Sequence, residues 1–309
     1  MRVPLPAAMI TTLNAVMSFI LCLPRIIGQA LLWAGLCLLV GCSSVRVGYN
    51  QSDTLVYWWV DRYVDLTAEQ KPFVKTALLD LKQWHRQEQL PEYMALLERL
   101  RAVAQRDITA QEVCTVAHEV KDSYARLLRQ IEPAATQLVT QLDAAQMRQL
   151  RKRYDKTNEE WREEWLNGDA DQRLKYRVKQ AQGRLEEFYG RLDTSQRQML
   201  VQWLSTSGYD PSLAYAERLR RQADSVQTFE QIQQAGASAA AANALLLRAW
   251  IERAFDSPQS AYRAYNQQLW LQNCAGFAKL HNRTTPEQRQ ALVQTLMRYE
   301  NDFRSLMKP

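Results

Sequence analysis

Thr109-Ala110-Gln111-Glu112, followed by Val113, Val116, Ala117, Val120, Tyr124, Leu127, Leu128 and Ile131, is the stretch that decides the fold. A Thr hydroxyl at position 109 accepts from the backbone N–H of residue 112, and the Glu112 carboxylate reaches back to the N–H of residue 109, a capping box that starts a helix. The apolar residues behind it recur at i, i+3, i+4 and i+7, which places them on one stripe. The same start signal returns at Thr67-Ala68-Glu69-Gln70, Asp143-Ala144-Ala145-Gln146, Asp169-Ala170-Asp171-Gln172, Asp193-Thr194-Ser195-Gln196 and Thr285-Pro286-Glu287-Gln288. Asp210-Pro211 and Ser257-Pro258 open two further helices, proline being favoured in the first turn. Leu150, Tyr154, Trp161 and Trp165 share a face. Pro133 is expected to bend or end its helix, because it lacks the N–H donor. Asn167-Gly168 separates two helices and Ser205 to Tyr209 reads as a loop. Ala235 to Ala244 reads as part of a long helix reaching about Phe255, with Gly236 its weak point. No useful strand-type alternation appears, so the expected fold class is all-α, an array of roughly eight to ten capped helices.

The chain has 309 residues, with 39 basic and 33 acidic side chains. Arg2 and Arg25 are the only charges in the first 41 residues; without that segment 37 basic and 33 acidic groups remain, a net charge of +4. So small an excess does not argue for a nucleic-acid surface. Three of the ten glycines, Gly28, Gly35 and Gly41, fall in the same segment. With so few left, a glycine-rich phosphate loop or a many-turned β fold is disfavoured.

The N-terminal segment has its own pattern. Ile26 to Val40 is apolar but for Gln29, follows the positive charge of Arg25, and runs into Leu39-Val40-Gly41-Cys42. A run this short, basic in front and small at its end, has the layout of a secretory signal rather than of a permanent span. Leu39-Val40-Gly41-Cys42 resembles the lipobox of bacterial lipoproteins, in which cleavage precedes the cysteine and its thiol carries lipid. Such proteins typically carry three acyl chains, palmitate among them, each buried methylene contributing about 0.8 kcal/mol to anchoring. The expected organisation is a signal peptide over 1–41 with Met17 as an alternative start, a tether over 42–52 lipidated at Cys42, and a helical domain over 53–309. Ser43 follows the cysteine where lipoproteins retained in the inner membrane carry Asp. The resemblance therefore implies the outer membrane, with the body in the periplasm and the membrane engaged through the N-terminal lipid.

Two wider resemblances follow. Cys42-Ser43-Ser44-Val45-Arg46-Val47-Gly48-Tyr49-Asn50 with Tyr57-Trp58-Trp59-Val60-Asp61-Arg62-Tyr63-Val64-Asp65-Leu66 resembles the opening of an uncharacterised proteobacterial lipoprotein family, a domain of unknown function. It implies a helical envelope lipoprotein and brings no active residues. Leu66-Thr67-Ala68-Glu69-Gln70 is also similar to the LTxxQ motif of Spy-like periplasmic chaperones. Leu142-Asp143-Ala144-Ala145-Gln146 and Leu192-Asp193-Thr194-Ser195-Gln196 are degenerate copies. That resemblance implies a helical holdase for unfolded clients, although any helix start behind an apolar residue writes the same letters.

Beyond the leader and Cys42, two cysteines remain, Cys114 and Cys274. An even pair in an oxidising compartment suggests a disulfide; two unpaired, buried small hydrophobes are the alternative. A third arrangement is a zinc site from Cys114 and His118, one turn apart, with Cys274 and His281, two turns apart. His85 continues the stripe of Val74, Ala77, Leu78 and Leu81 and reads as a core histidine. The acid pairs Glu159-Glu160 and Glu163-Glu164 alternate with Arg151-Lys152-Arg153 and Arg162 and read as a solvated face. Tyr57, Trp58 and Trp59, with Trp161 and Trp165, are the candidate binding aromatics, suited to a peptide or glycan groove or to the membrane beside the tether. Without a nucleophile elbow, a Ser-His-Asp arrangement or an HExxH motif, the sequence points to a non-enzymatic binding or scaffold module. It would need no cofactor, and its partner would be an envelope protein or an unfolded client. An envelope hydrolase acting on peptidoglycan is the competing class, needing two carboxylates brought together from separate helices.

Overall fold

The computed structural model describes residues 44–308. Residues 1–43 lie outside the described part, and with them the expected signal peptide and the lipidation site at Cys42. The helices run α1 (Ser44–Asn50), α2 (Ser52–Val64), α3 (Gln70–Trp84), a π-helical turn (His85–Gln89), α4 (Leu90–Val103), α5 (Ala110–Thr140), α6 (Ala144–Trp165), α7 (Ala170–Tyr189), α8 (Thr194–Thr206), α9 (Pro211–Ala235), a 3₁₀ turn (Ala237–Ala239), α10 (Ala240–Phe255), α11 (Ser260–His281) and α12 (Pro286–Leu306). The fold is all-α, with no strand among the described residues. None of the described helices is long and apolar enough to cross a membrane.

Local chemistry explains where the helices start. Thr109, Asp143, Asp169, Asp193 and Thr285 sit in extended backbone and make both bonds of a capping box with the residue three positions on. Asp210 accepts from the N–H groups of Ser212 and Leu213 ahead of α9. At Thr67 both reciprocal bonds form as well, although regular helix sets in only at Gln70.

The long α5 is the axis of the assembly, packed by α3, α9, α10 and α11. Around its C-terminal half lies the largest apolar cluster, with Leu66, Val74, Leu78, Val139, Leu142, Leu150, Ile232 and Leu247 buried. A second cluster joins α7, α8 and α11 through Leu185, Tyr189, Leu192, Leu200 and Leu280. The third seals α4 against α12 with Ala104, Val293 and Leu296.

In four places the chain departs from the sequence expectations. Residues 44–50, inside the segment expected as a tether over 42–52, are helical. This helix, α1, is fastened to α12 by Arg46, which meets Asp302 at 3.3 Å and donates to Ser305 at 3.4 Å. Pro133 does not end α5, which runs through it; it leaves the Arg129 carbonyl without its in-helix N–H partner on a side of the helix where Arg129 and Pro133 are both exposed. The expected continuous helix through Ala235 to Phe255 is broken at Gly236, whose φ of +69° and ψ of −178° belong to a region essentially restricted to glycine. Ser257 does not cap α11, which starts at Ser260. Its buried hydroxyl donates to Glu217 at 3.0 Å instead.

Candidate functional site

Four of the six capping boxes do more than start a helix. The Gln70 side-chain amide donates to Gln146 Oε1 at 3.2 Å and to the Gln141 carbonyl at 3.0 Å, while Gln146 donates to Gln70 Oε1 at 2.7 Å and to the Asp65 carbonyl at 3.1 Å. Gln196 and Gln288 repeat the arrangement: Gln196 donates to Gln288 Oε1 at 2.6 Å and to Arg283 O at 2.9 Å, and Gln288 to Gln196 Oε1 at 2.9 Å and to Arg191 O at 3.0 Å. In each case the accepting carbonyl lies five residues before the partner glutamine. Since every Oε1 also takes its own cap's N–H at 2.9–3.0 Å, each amide has two acceptor and two donor bonds filled. One pair locks the α2–α3 corner to the α5–α6 corner, and the other locks α7–α8 to α11–α12. The residue before each of these caps, Leu66, Leu142, Leu192 or Thr284, is buried. By contrast, Gly168 precedes the unpaired box at Asp169 and a half-buried Ile108 the one at Thr109. In sequence, Leu before the cap with Gln three residues after it separates three of these boxes, at Thr67, Asp143 and Asp193, from the unpaired ones, and Thr284 before the fourth does not fit that signal.

Cys114 of α5 and Cys274 of α11 form a disulfide, with Cα atoms 5.5 Å apart. This corrects the zinc arrangement, because two sulfurs bonded to each other leave no thiolate to ligate a metal. The histidines are engaged elsewhere too. His118 Nδ1 donates to the Cys114 carbonyl at 2.7 Å, and His281 Nε2 donates to the Arg106 carbonyl at 2.9 Å while its Nδ1 accepts from Tyr189 at 2.8 Å. No cluster of His, Cys, Asp or Glu able to hold a metal occurs among the described residues. Burial holds His281 below the usual histidine range and pushes the Tyr189 hydroxyl well up. His85 is buried at the π turn, its Nδ1 3.0 Å from the Tyr49 hydroxyl, and burial lowers its pKa to about 4.

One member of each acid pair is engaged by a neighbouring side chain. Glu159 meets Arg162 at 3.1 Å, and Glu164 accepts from Trp165 at 3.1 Å and Tyr176 at 3.3 Å. The fully buried Glu217 is clasped by Arg220 at 2.9 Å and Arg221 at 2.7 Å. Burial alone would raise its pKa, and the two guanidiniums outweigh that and hold it below the ordinary carboxylate value.

The aromatics divide. Trp165 is buried edge-on to Tyr176, Trp161 stacks on Tyr215 at 5.3 Å, and Tyr57 is packed on the main core under the Lys75 ammonium. Trp58 and Trp59 instead stay 59 % and 57 % exposed, which for an indole is a large apolar area left in water. Trp59 leans on Tyr63 at 4.6 Å, and the Arg153 guanidinium lies over the Tyr63 ring at 5.6 Å. Elsewhere, a groove of about 620 Å³ runs along α7, floored by Leu174, Val178 and Val201 and edged by Lys175 and Lys179.

A family model described as a family of unknown function (DUF6279) matches residues 62–246. The chain belongs to this family. The DUF6279 match contains the whole Gln70–Gln146 pair together with Cys114 and Gln196, and ends before Cys274 and Gln288. An uncharacterised family of unknown function is what the opening motifs resembled. No curated protein and no solved structure matches the chain.

Proposed function

We propose that this protein is an outer-membrane lipoprotein whose helical body works in the periplasm as a non-enzymatic binding or scaffold module. The observation that carries this reading is the Cys114–Cys274 disulfide, because such bonds persist in oxidising compartments and are reduced in the cytosol. It agrees with an apolar segment ending in Leu39-Val40-Gly41-Cys42, the pattern of an exported, lipid-carrying chain. The paired glutamines support a scaffold role: they are saturated and tie helix corners together, so they stiffen the frame rather than touch a client. A holdase is the most concrete version of binding, and the open apolar groove on α7 supports it.

Crosslinking in intact cells, followed by identification of what is captured, tests the proposal. One stable envelope partner supports the scaffold, and many unrelated unfolded chains captured along α7 support the holdase. Turnover of glycan strands by the purified protein would overturn the reading in favour of a peptidoglycan hydrolase.

A further inference from the structure

The exposed tryptophans sit at a particular place in the chain. Ser44, the first described residue, is already helical and lies two residues from Cys42, a separation that even fully extended chain spans in at most about 7 Å. Because α1 is pinned to α12 through Arg46, whatever holds Cys42 also holds α1 and α2 close by. The apolar side chains left in water on these two helices are Val47, Val56, Trp58 and Trp59, each more than two-fifths exposed.

The charge around this face is basic by a small margin, Arg62, Lys152, Arg153 and Lys156 standing against Asp61, Asp65 and Asp155. Arg62 is exposed one turn beyond Trp58, and its carbonyl accepts from Gln149 of α6 at 3.2 Å, which sets α6 alongside. From α6 come Arg153, over the ring on which Trp59 rests, and the exposed Lys152 and Lys156. On α2, Asp53 pairs with Lys82 at 2.5 Å, and Asp61 accepts the Leu66 N–H at 3.0 Å while keeping its charge. Exposed indoles beside guanidinium and ammonium groups match the bilayer interface, where tryptophan settles at headgroup depth and basic side chains meet lipid phosphates.

We propose that the α1–α2 face, with Trp58 and Trp59 as its anchors and Arg62, Lys152, Arg153 and Lys156 as its basic rim, docks on the surface of an anionic phospholipid bilayer. The body then lies on the membrane in one orientation, with the α7 groove and the disulfide-linked helices carried on a fixed platform. Membrane attachment through Cys42 is the setting for this contact. The contact itself is a separate property of the folded body.

The test uses the full chain reconstituted into vesicles of phosphatidylethanolamine and phosphatidylglycerol with brominated acyl chains, which quench tryptophan only at short range. Wild-type protein should lose fluorescence on these vesicles, more so as the phosphatidylglycerol fraction rises and less so in high salt. The double variant Trp58→Ser/Trp59→Ser should lose most of that quenching while keeping its helical circular dichroism. Lys152→Glu/Lys156→Glu should remove its dependence on phosphatidylglycerol. Equal quenching in wild type and the tryptophan double variant would overturn the proposal, as would no quenching in protein shown by mass to be acylated. Quenching by a chain that carries no lipid would support the docking face and refute the lipid tether, so the two fail separately.

Discussion

At the paired glutamines a single truncation removes several bonds at once. Gln196→Ala takes away the reach-back to Asp193, both donors to the facing corner and the acceptor used by Gln288, which is left short of its partner. We expect a loss on the order of 3 kcal/mol in urea unfolding, against about 1 kcal/mol for Thr109→Ala at an unpaired cap. The double variant Gln196→Ala/Gln288→Ala should cost far less than twice the single one, because the groups share partners. Six caps were legible from the sequence because a capping box is written within four residues. The pairing was not, since Gln196 and Gln288 are 92 positions apart and nothing local states which corners meet. His85 gives a pH prediction at the same scale. Burial lowers its folded pKa to about 4, below the ordinary value of about 6.5, so between these values the unfolded chain binds the proton first. Stability therefore rises with pH across that window and is lost as pH falls, by up to about 3 kcal/mol. The buried His281 contributes in the same direction. Urea midpoints from pH 7.5 to 5 should fall, and His85→Gln should flatten the slope.

Among the elements, α5 shows both what pattern can foretell and where it stops. Its start and apolar stripe are visible in the sequence, and its passage through Pro133 is not, because that depends on which side of the finished helix faces water. The same holds for α11, where Gly276 looks like an ordinary helical weak point. A Cβ there would lie 2.1 Å from the Trp203 indole, so only glycine lets α8 come this close. Gly276→Ala should destabilise by about 1–3 kcal/mol through overpacking, read as a lowered urea midpoint, whereas Gly183→Ala, with open space around it, should not. The disulfide between α5 and α11 closes a separation of 160 residues. In the chain-entropy account its reduction costs on the order of 5 kcal/mol as an upper estimate. Thiol labelling of native protein should therefore find Cys114 and Cys274 unreactive until a reductant is added, and the reduced protein should melt at a clearly lower temperature.

Across the described residues as a whole, the two glutamine pairs, the α5–α11 disulfide and the three apolar clusters bind the helices into one frame, and α1 is part of it through Arg46. The candidate binding aromatics show how burial decides function: Tyr57, Trp161 and Trp165 have partners inside the protein, and only Trp58 and Trp59 are left in quantity for something outside. Spacing along the chain could not sort them, because a tryptophan on a helical stripe reads the same whether its stripe meets another helix or water. We propose a frame held against the outer membrane by lipid on Cys42. The most direct measurement is the intact mass and N-terminal peptide of the protein extracted from purified outer membranes. We predict a chain that begins at Cys42 and carries the added mass of its acyl chains. A chain that begins at Met1 or Met17 with Cys42 unmodified would contradict it.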